Sequence, residues 1–316
     1  MLKNKHNLYQ NYSYCLATYF NEKNESLCII TNSNNEAKYL VNELKLILEN
    51  NSIIHFRESD ILPYDHFSVP EKITKERFKI VNNSKSYKKH ILVASVKNLF
   101  ERYPENEFFK SIKNFKIDTK ISLIELINIV ESLNYQKKTN VENINEYSVR
   151  GGIIDIYTPI YSNPLRVEIF DDRIESIRFF DVESQLSVNT LSEFSISNGN
   201  SVLFDKNTID MFIDRWRDYF PEIDERYCPI FQNIKNNYNS EGYEIYYPFF
   251  FKKTLNFLEL FDDYKYLKLN NLDEEMLKYN NFIQERYRDE KIDNSRPLIK
   301  PSDLFLPYDD VNKIYN

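Results

Sequence analysis

Glycine is almost missing from this chain. There are four in 316 residues, and the first is Gly151. Residues 1–150 therefore cannot supply a P-loop, whose glycine N–H groups wrap phosphates ahead of a Lys and a Ser or Thr. The GxGxxG dinucleotide fingerprint is excluded there on the same ground. Cysteine is scarce too: Cys15, Cys28 and Cys228 are too few and too scattered for a disulfide framework. The four histidines, His6, His55, His66 and His90, have no Cys or His neighbour at metal-ligand spacing, and neither HExxH nor GxSxG occurs. No catalytic residue, metal or cofactor is expected. The opening MLKNKHNLYQNYSYCL lacks the apolar core of a signal peptide, and no run of about 18 apolar residues is available to span a membrane. A soluble, cytoplasmic protein with no membrane partner is the expectation. Basic residues are in the minority, 41 Lys+Arg against 48 Asp+Glu, for a net charge of −7. Nucleic-acid affinity needs a surplus of Lys and Arg, so only a local basic patch would serve it.

What is present is an ordinary globular balance, 42% hydrophobic and 28% charged. The length suits roughly two or three domains. Phe (23) and Tyr (24) are abundant, but so are Asn, Lys and Ile. All have A/T-rich codons, so the aromatic surplus argues poorly for base stacking or a sticky surface.

Taken in order, LCIIT (27–31) reads as a buried strand. Ala37, Leu40, Val41, Leu44, Ile47 and Leu48 then recur at helical spacing, with Ser33 or Asn34 as the cap. Ile53 to Phe56 is a short strand, 59–70 a proline-punctuated loop, Lys72 to Val81 a helix and His90 to Ser95 a buried strand. Strands alternating with helices argue for a parallel α/β unit. Ser122 and Glu125 form a capping box for a helix carrying Leu123, Leu126, Ile127, Val130 and Leu133, ending near Asn134. Past Asn198, Asn207 is placed to cap a helix whose Ile209, Phe212, Ile213, Trp216 and Phe220 share a stripe, with Trp216 as a core anchor. Tyr246 to Phe251 reads as a buried or edge segment broken by proline, and Leu272 to Tyr287 as a helix with a solvated face.

The stretch Tyr147 to Leu186 organises the rest. The adjacent pair Gly151-Gly152 signals backbone torsions or a close approach that a side chain would forbid. In Leu165 to Phe170 the odd positions are aliphatic. On a strand Leu165, Val167 and Ile169 face a core, while Arg166, Glu168 and Phe170 face outward together. Asp171-Asp172-Arg173 is turn chemistry, and Ile174 to Phe180 returns as the partner strand, in a register the sequence does not fix. Arg and aromatic residues side by side suit a protein-binding surface. Alternation alone favours the plainer reading, a solvated face with a cross-strand ion pair and one exposed ring. Asp155, the one acid in an apolar strand, is expected in a structural ion pair with an arginine such as Arg150.

Several segments carry a resemblance: ILPYDHFSV (61–69), ILVASVKNLFERY (91–103), SVRGGIIDIY (148–157), LRVEIFDDRIESIRFFDVESQLS (165–187) and RWRDYF (215–220). In this order, over nearly the whole chain, they resemble the N-terminal part of the Mfd family, the bacterial transcription-repair coupling factors. The middle segment is similar to the UvrB-homology module that binds UvrA. UvrB itself carries a P-loop and inserts a tyrosine-rich hairpin near the position of ILPYDHFSV; this chain has neither. The resemblance implies a UvrA-binding surface made of Arg150, Arg166, Glu168 and Phe170, which coincides with the outward face picked out by alternation. UvrB-like members often carry a second arginine where this chain has Ser148.

The fold expected is therefore α/β plus α+β. A degenerate P-loop-like α/β domain (1–116) lacks a P-loop, a UvrB-like α+β UvrA-interaction domain (117–197) is inserted, and a helix-rich domain (198–316) packs on the first. The function implied is recruitment of UvrA in transcription-coupled nucleotide excision repair. Longer members continue into RNA-polymerase-binding and motor domains, so the chain reads as a fragment, a split gene or a truncated form. Alone it is expected not to be an enzyme. ATP, DNA and RNA polymerase would enter only through the C-terminal domains. The alternatives are the N-terminal piece of an ATP-dependent DNA translocase with a separately encoded motor, a UvrB-like damaged-DNA binder, and a decaying remnant.

Overall fold

The computed structural model describes residues 3–23, 25–49, 52–84, 89–105, 113–133, 135–197, 202, 204–238, 240–268 and 271–315, without the side chains of 3–11, 82, 83, 268, 314 and 315. The side chain of His6, the helix stop expected at Asn134 and the boundary expected at Asn198 lie outside this description.

In chain order the elements are α1 (Lys3–Glu22), β1 (Leu27–Thr31), α2 (Asn34–Ile47), β2 (Ile53–His55), α3 (Glu71–Asn83), β3 (Ile91–Ser95), β4 (Tyr103–Pro104) and β5 (Lys113–Lys116). Next come α4 (Leu123–Ser132), β6 (Gln136–Lys137), β7 (Glu146–Arg150), β8 (Ile153–Ile156), β9 (Leu165–Phe170), β10 (Arg173–Phe180), β11 (Ser187–Leu191) and β12 (Glu193–Ile196). The chain continues through α5 (Lys206–Tyr219), α6 (Pro229–Lys235), β13 (Thr254–Leu255), α7 (Phe257–Leu260), β14 (Lys265–Lys268), α8 (Leu272–Glu290), α9 (Pro301–Leu304) and α10 (Tyr308–Tyr315). Contacts group these into two compact units: Met1–Ile73, Ile80–Glu105 and Met211–Asn316 in one, Thr74–Lys79 and Asn106–Asp210 in the other.

The first unit is built on a parallel sheet in the order β14-β1-β3-β2. β1 and β3 are buried along their whole length, as the continuous runs LCIIT and ILVAS require of strands covered on both faces. Ser33 caps α2 by accepting the Glu36 N–H, and Ala37, Leu40, Val41 and Leu44 bury against the sheet strands. Leu16, Ala17 and Phe20 of α1 join the same core. Each fully buried aliphatic side chain contributes about 1.5–3 kcal/mol. The sequence did not announce α1, which contributes Leu16, Ala17 and Phe20 to that core, with Tyr12 and Tyr19 packed against it. Nor did it announce β14, a four-residue edge strand with a lysine at each end. One local expectation is corrected. Asp205, not Asn207, caps α5, because its Oδ1 accepts the Thr208 N–H at 2.8 Å. The segment read as buried or edge and broken by proline is buried at Tyr246, Phe249, Phe250 and Phe251, and Tyr243–Phe250 is a 3-10 helix with Pro248 inside it. Trp216 is 1% exposed and anchors the aromatic core around Phe212 and Phe231.

The second unit holds a six-stranded sheet in the order β11-β10-β9-β8-β7-β6, antiparallel except for the β6–β7 pair. A two-stranded sheet of β12 and β5 stands beside it in sequence. The Ser122–Glu125 capping box starts α4. Leu126 and Val130 of that helix pack into one core with Tyr147, Ile154, Ile156, Leu165, Val167, Ile169, Ile174 and Ile177. All of these strand residues project to the same side. An antiparallel sheet needs only one buried face, and the other is where the polar residues of β7 to β10 collect.

Candidate functional site

Two tight turns set the geometry of that polar face. Between β7 and β8, Gly151 takes φ +60°, and a Cβ on Gly152 would sit 2.8 Å from the Ile169 carbonyl oxygen. The glycine pair thus serves both purposes at once, a left-handed turn and a backbone close approach. Between β9 and β10, Asp171 (φ 48°) and Asp172 (φ 54°) form a two-residue turn. Positive φ at both central positions matches the twist of a hairpin, and Asp tolerates it. The register follows: Phe170 faces Arg173, Asp155 faces Arg166 and Ile153 faces Glu168.

β9 alternates as its sequence requires. Leu165, Val167 and Ile169 are buried, and Arg166, Glu168 and Phe170 lie on the opposite side. Phe170 is 72% exposed. The two charged residues between it and the strand start are occupied by their own sheet. Arg166 donates from Nε to Asp155 Oδ1 at 2.8 Å and from Nη2 to Oδ2 at 2.9 Å. Its Nη1 reaches the Gln185 carbonyl at 3.2 Å, and its guanidinium lies 4.6 Å over the Phe180 ring. The hydrogen bonds that Arg166 donates to Asp155 push the Arg166 pKa above its ordinary value. Glu168 accepts from Arg178 at 2.8 Å and from Ser176 at 3.1 Å. Arg150 stays 3.6 Å from Asp155 and 3.4 Å from Asn140, with 55% of its side chain exposed.

The four residues singled out by sequence therefore share one face. Asp155 stands in the expected structural ion pair: Arg150 lies 3.6 Å from it, and Arg166, directly across in register, takes both carboxylate oxygens as the tighter partner. Sequence reasoning missed Arg178, the partner of Glu168. A bulge between Ile174 and Ser176 breaks the alternation of β10, so its outward set could not be read off.

The other place where an α/β unit would hold a ligand is the C-terminal edge of its parallel strands. Here that edge is filled by the chain itself. Glu58, 7% exposed, accepts the Asn34 N–H at 3.0 Å and the Ser95 hydroxyl at 2.6 Å, and pairs with Lys97 at 2.8 Å. The Asn32 N–H goes to Glu36 at 3.3 Å. The donors at the start of α2 already face carboxylates, so these residues do not fit a nucleotide phosphate. Among the described residues no group of His, Cys, Asp and Glu is placed to hold a metal ion, and no helix is long and apolar enough to cross a membrane.

Residues 114–201, which include β6 to β12, match the family described as the UvrB interaction domain. The polar face thus belongs to a UvrB-interaction-type module. Over most of its length the chain is homologous to the N-terminal region of transcription-repair coupling factors, the Mfd proteins. It is 24% identical to the transcription-repair-coupling factor of Haemophilus influenzae over 294 residues, which is 92% of this chain and 26% of that protein. The Escherichia coli protein of the same name is 26% identical over 262 residues, 82% of this chain and 23% of that one. The one from Rickettsia prowazekii is 25% identical over 305 residues, 93% and 27% of the two. The chain spans about a quarter of the length of these relatives.

Proposed function

We propose that the polar face of the six-stranded sheet docks UvrA and so recruits it in transcription-coupled nucleotide excision repair. The observation that carries this reading is the shared orientation of Arg150, Arg166, Glu168 and Phe170 inside the matched module. Phe170 fills an apolar pocket on the partner, Arg150 meets a carboxylate, and Arg166 with Glu168 forms the charged centre between them. Residues 117–197 act as the docking module, with 1–116, a degenerate P-loop-like domain, and 198–316 as its support. ATP has no part in this step, since the edge of the parallel sheet is taken up by Glu58. Translocation on DNA and displacement of RNA polymerase belong, in this reading, to regions of the longer relatives that these residues do not match.

Calorimetry of the chain with its cognate UvrA tests the proposal. Phe170→Ala and Arg166→Ala should each weaken binding by about 2 kcal/mol or more, the range of a dominant interface residue. Unchanged affinity in both variants would remove the face from consideration. DNA binding that falls steeply with salt would favour a damaged-DNA binder instead.

A further inference from the structure

Three cations surround the two acids of the docking face, and they are not equivalent. Arg166 spends Nε and Nη2 on Asp155, Nη1 on the Gln185 carbonyl, and its flat side on Phe180. Only 18% of its side chain is exposed. Arg178 is held by Glu168 at 2.8 Å. Arg150 is the most exposed of the three and the most loosely held, 3.6 Å from Asp155 and 3.4 Å from the Asn140 side-chain oxygen. Arg173, across from Phe170 at the hairpin turn, donates to the Asp118 carbonyl at 3.1 Å and lies outside this cluster.

Asp155 decides this ranking. It is 2% exposed, the one acid of β8, and stands in register opposite Arg166. A bidentate carboxylate–guanidinium pair fixes the plane of the arginine as well as its position. With both Asp155 oxygens bound to Arg166, Arg150 holds Asp155 only at 3.6 Å and Asn140 at 3.4 Å, and more than half of its side chain is open to solvent.

We propose that Asp155 is a positioning residue for UvrA docking: it locks Arg166 flat against Phe180 as a platform whose charge is balanced within the pair, and leaves the more exposed Arg150 as the arginine that receives a partner carboxylate. This rests on the UvrA-docking reading above. Arg166 then contributes shape and Arg150 contributes charge. A truncation such as Arg166→Ala cannot tell the two roles apart, because it also strands the buried Asp155. A paired replacement can, since a buried ion pair exchanged for apolar residues of similar volume is often tolerated while a half-broken pair is not.

The test is stopped-flow association and calorimetry of the full chain with its cognate UvrA, at several salt concentrations. Three variants are compared: Asp155→Asn, the pair Asp155→Leu with Arg166→Met, and Arg150→Gln. Asp155→Asn should weaken binding about tenfold or more although Asp155 makes no contact with UvrA. The pair should bind within about threefold of the parent chain, with its salt dependence kept. Arg150→Gln, a surface change that leaves folding intact, should slow association and flatten its salt dependence, the mark of an interfacial charge. Should Asp155→Asn fail to fold, the pair and Arg150→Gln still decide. The inference is overturned if the pair loses as much affinity as Arg166→Ala, or if Arg150→Gln leaves the salt dependence untouched. Those outcomes differ from failure of the docking reading itself, in which the parent chain does not bind UvrA or Phe170→Ala binds as tightly as the parent.

Discussion

A carboxylate is buried in each of the two units, and the two are used to opposite ends. Glu58 closes the edge of the parallel sheet with neutral donors, the Asn34 N–H and the Ser95 hydroxyl, plus Lys97, whose side chain is 40% exposed. The Glu58 carboxylate there is spent on its own chain, and the place where an α/β fold would take a ligand becomes part of its own support. Asp155 sits on an open sheet face between two guanidinium groups. Arg166 takes both of its oxygens, Arg150 stays at 3.6 Å with most of its side chain exposed, and an exposed phenylalanine shares their face. A buried acid balanced by its own donors makes a closed structure. A buried acid with a surplus cation makes a surface with something left to give a partner.

The largest effect that would break or sharpen this contrast is on stability. Asp155→Ala leaves Arg166 desolvated and unpaired, which should lower the unfolding free energy by about 3–5 kcal/mol. Glu58→Ala leaves the Asn34 N–H without its acceptor and the Ser95 hydroxyl with only the longer bond to Asn98 at 3.4 Å, while Lys97 turns out to water. That should cost about 1–3 kcal/mol. Urea unfolding of both variants gives the comparison, and equal losses would show that the two carboxylates carry the same load.

Acid separates the two units next. All four histidines fall in the first unit. His90, 2% exposed and hydrogen-bonded to Tyr264, is pushed down by burial to about 4, and burial together with nearby Arg57 brings His55 to about 4 as well. In the unfolded chain a histidine titrates near 6.5. Between these values the unfolded state binds more protons, so stability is complete above about pH 6.5 and is lost as pH falls towards about 4. Glu244, pushed upward by burial, acts in the opposite sense. For His90 alone the loss from pH 7.5 to 5.0 is about 2 kcal/mol at most. Trp216, the chain's single tryptophan, lies in that same unit and reports on it by fluorescence. Urea unfolding followed through Trp216 should show the loss, and His90→Gln should remove much of it. An unchanged pH slope in His90→Gln would take His90 out of the account.

The second unit was the more legible of the two, for a physical reason. A strand with one buried face writes its orientation into a period of two, so Arg166, Glu168 and Phe170 could be placed together from β9 alone. The glycine pair and the Asp171-Asp172 turn likewise advertise torsions that few other residues accept. What alternation cannot give is register, and the tighter hold of Asp155 on Arg166 than on Arg150 follows from the register between β8 and β9. The bulge in β10 hid Arg178 in the same way. In the first unit the parallel strands could be named, but Glu58 reaches partners 24 and 37 residues away. No local pattern announces such contacts, nor a short edge strand such as β14.

The smallest effect on stability belongs to the residue on which recognition should depend most. Phe170 is 72% exposed, so little of its ring area leaves water when the chain folds. Phe170→Ser should change the unfolding free energy by no more than about 0.5 kcal/mol, as exposed substitutions do away from caps, turns and ion pairs. Its position also spares the hairpin turn, which Asp171 and Asp172 form by themselves. If the ring is held for a partner, the same variant should lose UvrA affinity while unfolding like the parent chain. A clear drop in stability would mean that the ring serves its own sheet, and the open face would then resemble the closed edge at Glu58 more than it differs from it.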